Sequence, residues 1–430
     1  GPAVPPLVAV ALRPLLSSLC PSHDRALAAA LRRELPGVHV SSSSEVLPQF
    51  REYERFSTTA VDAYLTPVVA KYLERLGEAA AASGLPEPWI MQSSGGVIPL
   101  AQAAASAAPL LLSGPAAGVV AAQFSGDRSG VDNLIAFDMG GTSTDVTLVR
   151  GGAAETTTER EIGGSPVALP MVDIHTIGAG GGSIVWIDAG GALRVGPESA
   201  GADPGPACYG RGGESATVTD ANLFLGYLGG RLGGDGLELR RDLAEASLAR
   251  LARFLKMSIE EVAIGIRRVA NAGMVKALRV ISVERGHDPR GFVLVAFGGA
   301  GPMHGADLAQ EIGIKRVLLP DSCGVLSALG MVVGDQRRDW VRTVYRQGDW
   351  DSRFLEEAFA GLESEAVTAP DTGLEPKEKS RRPGTGQVPR IIRRADLRYR
   401  GQSHELTVEL DAGYQREELV AAFEAEHEKA

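Results

Sequence analysis

The stretch Asp138-Met139-Gly140-Gly141-Thr142-Ser143-Thr144-Asp145 constrains this chain most. Strand-forming Asn133-Leu134-Ile135-Ala136-Phe137 leads in, Val146-Thr147-Leu148-Val149 leads out, and Gly151-Gly152 stops the run. Strand, glycine turn and strand read as a hairpin. An acidic residue closes the first strand and another opens the second, with two glycines and three hydroxyls between them. Glycines without Cβ atoms let backbone N–H groups close on phosphate oxygens, and a hydroxyl adds a donor. A carboxylate can hold a Mg²⁺ ion that keeps most of its waters. Asp138, Asp145, Gly140, Gly141, Thr142 and Thr144 therefore read as half of a Mg-nucleotide site. A hairpin whose glycines serve only its turn is the plain alternative. The second aspartate and the hydroxyls favour phosphate binding.

A second loop strengthens that reading. A strand over 292–297 precedes Gly298-Gly299-Ala300-Gly301-Pro302, a helix over 303–312 and a strand over 316–319. This order aims a helix N-terminus at whatever lies over the loop, a phosphate or an adenosine. A plain tight turn is the alternative for this loop taken alone. Two such loops far apart, with a long helix before the second, form the layout of an actin-like ATPase lobe. One hairpin grips phosphates, and Gly298, Gly299 and Gly301 approach the nucleoside. The helix, over 258–285, opens on a Ser258/Glu261 capping box and ends at Gly286.

The 430 residues suffice for two or three domains, and 44% hydrophobic against 22% charged residues marks a globular chain. A formal charge of −10 without a long basic run argues against nucleic acid as partner. No apolar stretch reaches membrane-spanning length. Cys20, Cys208 and Cys323 show no C-x-x-C spacing, which suits a reducing cytosol and gives no zinc signature. All three read as packed or incidental, with Cys208 the weakest case. Residues 1–125 read as α/β, 126–338 as the nucleotide-binding lobe and 339–430 as an α+β region. That last region contains a flexible loop at 371–390 and a hairpin from Leu397-Arg398-Tyr399-Arg400 and 404–410. In the first region, Ser57-Thr58-Thr59 reads as a helix start with Asp62 as its capping acid. Val61, Leu65, Val68, Tyr72 and Leu76 keep one face of that helix, and Pro67 should kink it.

Asp173 and His175 stand at i and i+2, which on a strand share a face. They read either as a divalent-metal or proton-transfer pair, with Asp138 as a further ligand, or as a hydrogen-bonded pair that orders the following glycines. His304 reads as structural or ligand-contacting. Thr219, Asp220 and Asn222 form a polar run best explained by helix capping. No G-x-S-x-G elbow, Walker A motif or H-E-x-x-H is present.

DMGGTSTDV (138–146), DIHTIGAGGGSI (173–184), GPESAGADPGPACYG (196–210), TVTDANLFLG (217–226), RGHDP (285–289) and FGGAGPMHGA (297–306) together resemble the ATP-dependent hydantoinase A/5-oxoprolinase family. REYERFSTTAVDAYL (51–65) and MQSSGGV (91–97) resemble it as well. The family includes acetone carboxylase β-type subunits. The resemblance implies an actin/Hsp70/sugar-kinase-like (RNase H-like) fold with a sister D-x-G-G-T-F-T-D hairpin in an N-terminal lobe. No such copy occurs here, so that lobe is expected to be incomplete. The resemblance also implies ATP, Mg²⁺, a second divalent metal, a B-type partner, a cytoplasmic setting and hydrolysis of a small cyclic amide. By the motifs, Asp138 and Asp145 position metal and water, Gly140, Gly141 and Thr142 hold phosphate, and Asp173 and His175 lie on the substrate or metal side. A ketone carboxylase subunit and a nucleotide-binding fragment without catalysis are the competing expectations.

Overall fold

A computed structural model describes residues 7–233, 236–344, 351–368, 390–402, 405–410 and 413–429. Its centre is a six-stranded sheet. The hairpin expected from the glycine turn is there: Leu134–Met139 runs antiparallel to Thr144–Arg150, with Asp138 opposite Asp145. On one side, His175–Ile177 adds antiparallel to Thr144–Arg150. On the other, Val293–Phe297 adds parallel to Leu134–Met139, and Val317–Leu318 adds parallel beyond it. Ala153–Ala154 pairs with the end of Thr144–Arg150.

Both sheet faces are covered, as period-two sequence allows when every position is apolar. Ile135, Phe137, Met139, Leu294 and Ala296 pack on one face under helices Ile259–Ile281 and Gly305–Ile312. Leu134, Ala136, Val293, Val295 and Phe297 pack on the other under Ser113–Arg128 and Leu326–Val333. Ile259–Ile281 carries the Ser258/Glu261 capping box that its sequence specifies. It stops before Ser282, and a short turn over Val283–Arg285 reaches Gly286, whose φ is +79°.

The first hundred residues build a smaller unit. Ala9–Leu12 and His39–Ser42 pair in parallel, joined by helix Ser22–Glu34. A 31-residue helix, Glu52–Ala82, packs on them and passes through Pro67 without interruption. It differs from its sequence reading in two ways. It begins at Glu52, so Thr58 and Thr59 lie inside it, where their hydroxyls donate back to the Glu54 and Arg55 carbonyls. Its buried face is mostly polar over the first half, with Arg55, Thr58, Thr59, Asp62 and Thr66 inside, while Leu73 is a buried apolar residue of the second half and Val68 and Tyr72 are exposed. Asp62 is therefore a junction rather than a cap. Its carboxylate accepts from Ser41 Oγ at 2.7 Å, Ser106 Oγ at 2.8 Å and the Ala108 amide at 3.0 Å.

Towards the C-terminus, Arg393–Leu397 pairs antiparallel with Leu406–Leu410, four residues earlier on its first strand than the sequence suggests. Helices Ser352–Thr368 and Arg416–Lys429 flank this hairpin. Of the loop anticipated at 371–390, all but residue 390 lies outside the described residues. Among the described residues no helix is long and apolar enough to cross a membrane.

Candidate functional site

The strand order creates the site. From Leu134–Met139 the chain first builds outward on one side of the sheet and later returns to add Val293–Phe297 on the other. Ligand crevices in open α/β sheets form at such reversals, outside the carboxyl ends of the strands. Both glycine bends leave carboxyl ends here, because Phe297 sits beside Asp138 in parallel register. The Ala300 amide donates to the Met139 carbonyl at 2.9 Å. Gly298, at φ +83°, lies so close to Asp138 and Met139 that any Cβ would strike them. The bend of Gly140, Gly141 and Thr142 thus lies against that of Gly298, Gly299 and Gly301.

The hairpin turn is held open from behind. The Gly140 amide donates to the Ser143 carbonyl at 3.0 Å. Among the described residues the amides of Gly141, Thr142 and Ser143 have no acceptor, and Gly141 and Thr142 are exposed. Three consecutive N–H groups are thus left without protein acceptors among those residues, as in the backbone turns that can receive anions. A second glycine segment, 178–182, backs it. The Gly181 and Gly182 amides donate to the carbonyls of Gly140 and Gly141 at 3.0 and 2.6 Å. Thr144 Oγ1 donates to the Ala179 carbonyl at 2.5 Å, so this hydroxyl faces the backing segment. Gly180 has no room for a side chain, since a Cβ would come within 2.6 Å of the Gly141 carbonyl.

Asp138 and Asp145 face each other across the hairpin on the sheet face of Ala136 and Val149. Burial, then the neighbouring Asp145 charge, pushes the Asp138 carboxyl up to about 6. No donor among the described residues bonds to that carboxylate. Burial also raises Asp145, against the opposing pull of Thr176 Oγ1, which donates to it at 2.6 Å, and of Arg160. Two partly buried carboxylates short of donors fit a hydrated cation shared with phosphate oxygens. Mg²⁺ characteristically takes only one or two carboxylates.

Asp173 and His175 do not join them. The strand starts at His175, so the two-residue period does not extend back to Asp173. Asp173 instead pairs with Arg285 at 2.5 Å, and Arg285 also reaches Glu155 at 3.2 Å. Thr176 shares a face with Asp145, which leaves His175, opposite Val146, on the other side of the sheet. The trio Asp138, Asp173 and His175 is therefore not assembled as a ligand set. Among the described residues no group of three or more His, Cys, Asp or Glu side chains is arranged to hold a metal.

Sequence reasoning overlooked what lies beneath the cleft. Thr217, not Thr219 or Asp220, caps helix Val218–Phe224, with Asp220 as the reciprocal acid of the box. The buried Asp220 carboxylate also accepts the Cys208 amide at 2.8 Å, which anchors the Gly/Pro segment. Cys208 is itself fully buried, and that burial pushes its thiol far up, so it is packing and not a nucleophile. His304 is fully buried as well. Its Nδ1 lies 2.6 Å from Asn271 Oδ1 and its Nε2 lies 3.1 Å from Asn222 Nδ2. Burial and the nearby Arg267 lower it to about 3, so the ring is neutral, with Nδ1–H donating and Nε2 accepting. The sequence signals for this network were the polar residues in the stretch 217–225 and the structural reading of His304.

The hydantoinase/oxoprolinase family profile matches residues 55–340, and the chain belongs to that family. It is 40% identical over 430 residues to the caprolactamase subunit alpha of Pseudomonas jessenii, a match covering 98% of this chain and 60% of that subunit. The crystal structure of the ATP-dependent caprolactamase from the same organism superposes with a TM-score of 0.84 at 40% identity, over 98% of this chain and 61% of that one. The 5-oxoprolinase of Saccharomyces cerevisiae is 39% identical over 342 residues, which is 76% of this chain and 26% of that enzyme. A nucleotide-free acetone carboxylase structure follows at TM-score 0.73 and 26% identity, over 97% of this chain and 60% of that one. The chain thus spans about three fifths of the length of the caprolactamase subunit.

Proposed function

We propose that this chain is the A-type part of an ATP-dependent cyclic-amide hydrolase of the hydantoinase/5-oxoprolinase kind, working in the cytoplasm beside a B-type partner. The observation that carries this reading is the meeting of two distant glycine bends beside Asp138, at the carboxyl ends of two neighbouring strands. The caprolactamase and 5-oxoprolinase relatives support the substrate class.

A ring amide is a poor electrophile. Its oxygen attacks the γ-phosphorus of ATP, ADP leaves, and the phosphorylated carbon then accepts water. The ring C–N bond breaks with a proton passing to nitrogen, and the acyl phosphate hydrolyses to carboxylate and phosphate. The free amides of Gly141, Thr142 and Ser143 bind and orient phosphoryl oxygens. Asp138 and Asp145 hold the hydrated cation, and Thr176 fixes the rotamer of Asp145. Bound Mg²⁺ supplies charge neutralisation at the transferring phosphoryl group. Gly298, Gly299 and Gly301 keep the wall by the nucleoside free of side chains. Asp173, paired with Arg285, and His175, on the opposite face of the sheet, take no step in the phosphoryl transfer. A role for them, or for a second metal, belongs to the substrate side.

The architecture we propose is actin/Hsp70/sugar-kinase-like. Support comes from a sheet whose second strand alone opposes its flanking neighbours, with helices on both faces. The β-α-β unit over residues 9–42 is then the second half of a sister lobe, incomplete in this sequence, within a first region of 1–125. The ATPase lobe occupies 126–338, and 339–430 forms the α+β appendage.

The test is ADP release by the full-length protein with its B-type partner and Mg-ATP, with and without caprolactam, 5-oxoproline or hydantoin. Stimulation by any of these cyclic amides is expected, and failure of all of them refutes the reading. The likeness to acetone carboxylase favours one rival, a ketone carboxylase subunit. Bicarbonate-dependent ATP consumption with acetone or an aryl ketone would identify that rival.

A further inference from the structure

The two glycine bends touch directly through Ala300 and Met139, but a longer path also joins them. From the phosphate turn, the Gly140 carbonyl accepts the Gly181 amide at 3.0 Å. The Gly181 carbonyl in turn accepts both the amide and the Oγ1 of Thr219, at 2.7 and 2.8 Å. One turn along the same buried helix, Asn222 holds His304 with its amide nitrogen and receives Arg267 on its oxygen. Arg267 also donates to the Met303 carbonyl at 2.9 Å, and the His304 amide donates to the Gly301 carbonyl at 3.0 Å. The path therefore closes on the second bend.

We infer that helix Val218–Phe224 is the spacer that sets the width of the cleft, with Thr219 and Asn222 as positioning residues for the two glycine bends. Several features argue for this role over simple core filling. Thr219 and Asn222 are buried polar groups, and their side chains bond to the Gly181 carbonyl, His304 and Arg267 rather than to their own helix. Buried polar networks cost stability unless fully satisfied, and here both ring nitrogens of His304 and both amide atoms of Asn222 have partners. The contacts also form a ring: Met139–Gly140, Gly181, Thr219–Asn222, His304–Gly301, Ala300 and back to Met139. A ring of short bonds fixes a distance that a single bond leaves free to hinge. Misplacing a reactive group by about 1 Å costs on the order of a hundredfold in rate, so such bracing has a direct catalytic consequence.

The inference deepens the ATP reading above and uses it for one of two readouts. The proteins to compare are the full-length wild type with its B-type partner and the variants Thr219→Val, Thr219→Ser and Asn222→Ala. The first readout, hydrogen exchange, needs no ligand. Thr219→Val should speed exchange about tenfold at Gly181 and Gly182 and also at Ala300 and His304, on the far side of the ring. Asn222→Ala should do the same from the other end, while Thr219→Ser should restore wild-type protection. The second readout is Mg-ATP affinity and turnover. Thr219→Val should lower substrate-stimulated kcat more than it weakens ATP binding, with recovery in Thr219→Ser and little change in Tm. Exchange confined to each variant's immediate neighbours, or a Thr219→Ser no better than Thr219→Val, overturns the inference. A wild type that binds no Mg-ATP defeats the ATP reading instead, and the exchange pattern still decides this one.

Discussion

Two β-α-β units in this molecule have the same connection and different fates. One runs Val293–Phe297, Gly305–Ile312, Val317–Leu318, and the other runs Ala9–Leu12, Ser22–Glu34, His39–Ser42. Both pair their strands in parallel. In the first, the leading strand has a hairpin on its other edge, and all five of its residues are buried. In the second, that edge is unpaired among the described residues, and only Leu12 is buried. The loops differ accordingly. A glycine bend follows the first leading strand, while Arg13-Pro14-Leu15-Leu16 follows the second, with Leu16 at φ 58°. The repeated unit alone makes no site. The nucleotide cleft proposed above lies where the unit meets a hairpin that brings its own glycines and carboxylates.

The largest test of that comparison is at the hairpin. Asp138→Asn or Asp145→Asn in the full-length complex should cut ATP turnover by about a hundredfold to a thousandfold. Buried Asp24, which accepts Ser42 Oγ and the Ser44 amide at 2.9 Å each in the smaller unit, provides the contrast. Asp24→Asn should lower stability by about 1–3 kcal/mol, read by denaturant melting, and leave kcat per folded molecule unchanged. Equal kinetic losses at both places would erase the distinction.

Gly180→Ala should come next. Its Cβ collides with the Gly141 backbone, so the phosphate turn must shift, and we expect Mg-ATP to bind about tenfold or more weakly by calorimetry. Gly37→Ala, beside the smaller unit, meets no atom within 4 Å but sits at φ +88°. It should cost about 1 kcal/mol of stability and no ATP affinity.

A smaller effect concerns pH. Asp138 is raised to about 6 in the folded protein, against roughly 4 when unfolded. The folded state therefore holds that proton more tightly. The associated stability is present below about pH 4 and is lost as pH rises towards 6. Without nucleotide, the Tm advantage of Asp138→Asn over wild type should grow between those values, and a constant difference would show the carboxyl is not perturbed. His304, lowered to about 3, has the opposite dependence. Wild type should lose stability as pH falls from about 6.5 towards 3, because only the unfolded chain takes up the proton. His304→Gln should lack that part of the acid slope.

Much of the molecule could be read from short stretches. The hairpin, the Ser258 cap and the second β-loop-α all depend on residues within a few positions of one another, where alternation, capping chemistry and glycine act locally. Readings failed where a local rule met a distant partner. Ser57-Thr58-Thr59 looked like a cap, yet Thr58 sits mid-helix and its hydroxyl receives the amide of Ala168, 110 residues away. Tyr72 and Val68 looked like core because they keep helical spacing, but they face solvent, and the neighbouring Val69, Leu73 and Leu76 pack against Ile98 instead. Asp173 looked like a partner of His175 until Arg285 claimed it.

By itself, then, the amino-acid order determined which segments become strands and bends, and which of them carry carboxylates and bare amides. Backbone preference and side-chain period act over a few residues, and no folded context is needed to read them. Only the tertiary structure decided which bends meet, that Asp138 and Asp145 lie on the other sheet face from His175, and that Thr219 and Asn222 bond to residues of the two glycine segments. Sheet register and burial bring together groups far apart in the chain, as they do Met139 and Ala300, 161 residues apart. Chain spacing carries no record of those meetings.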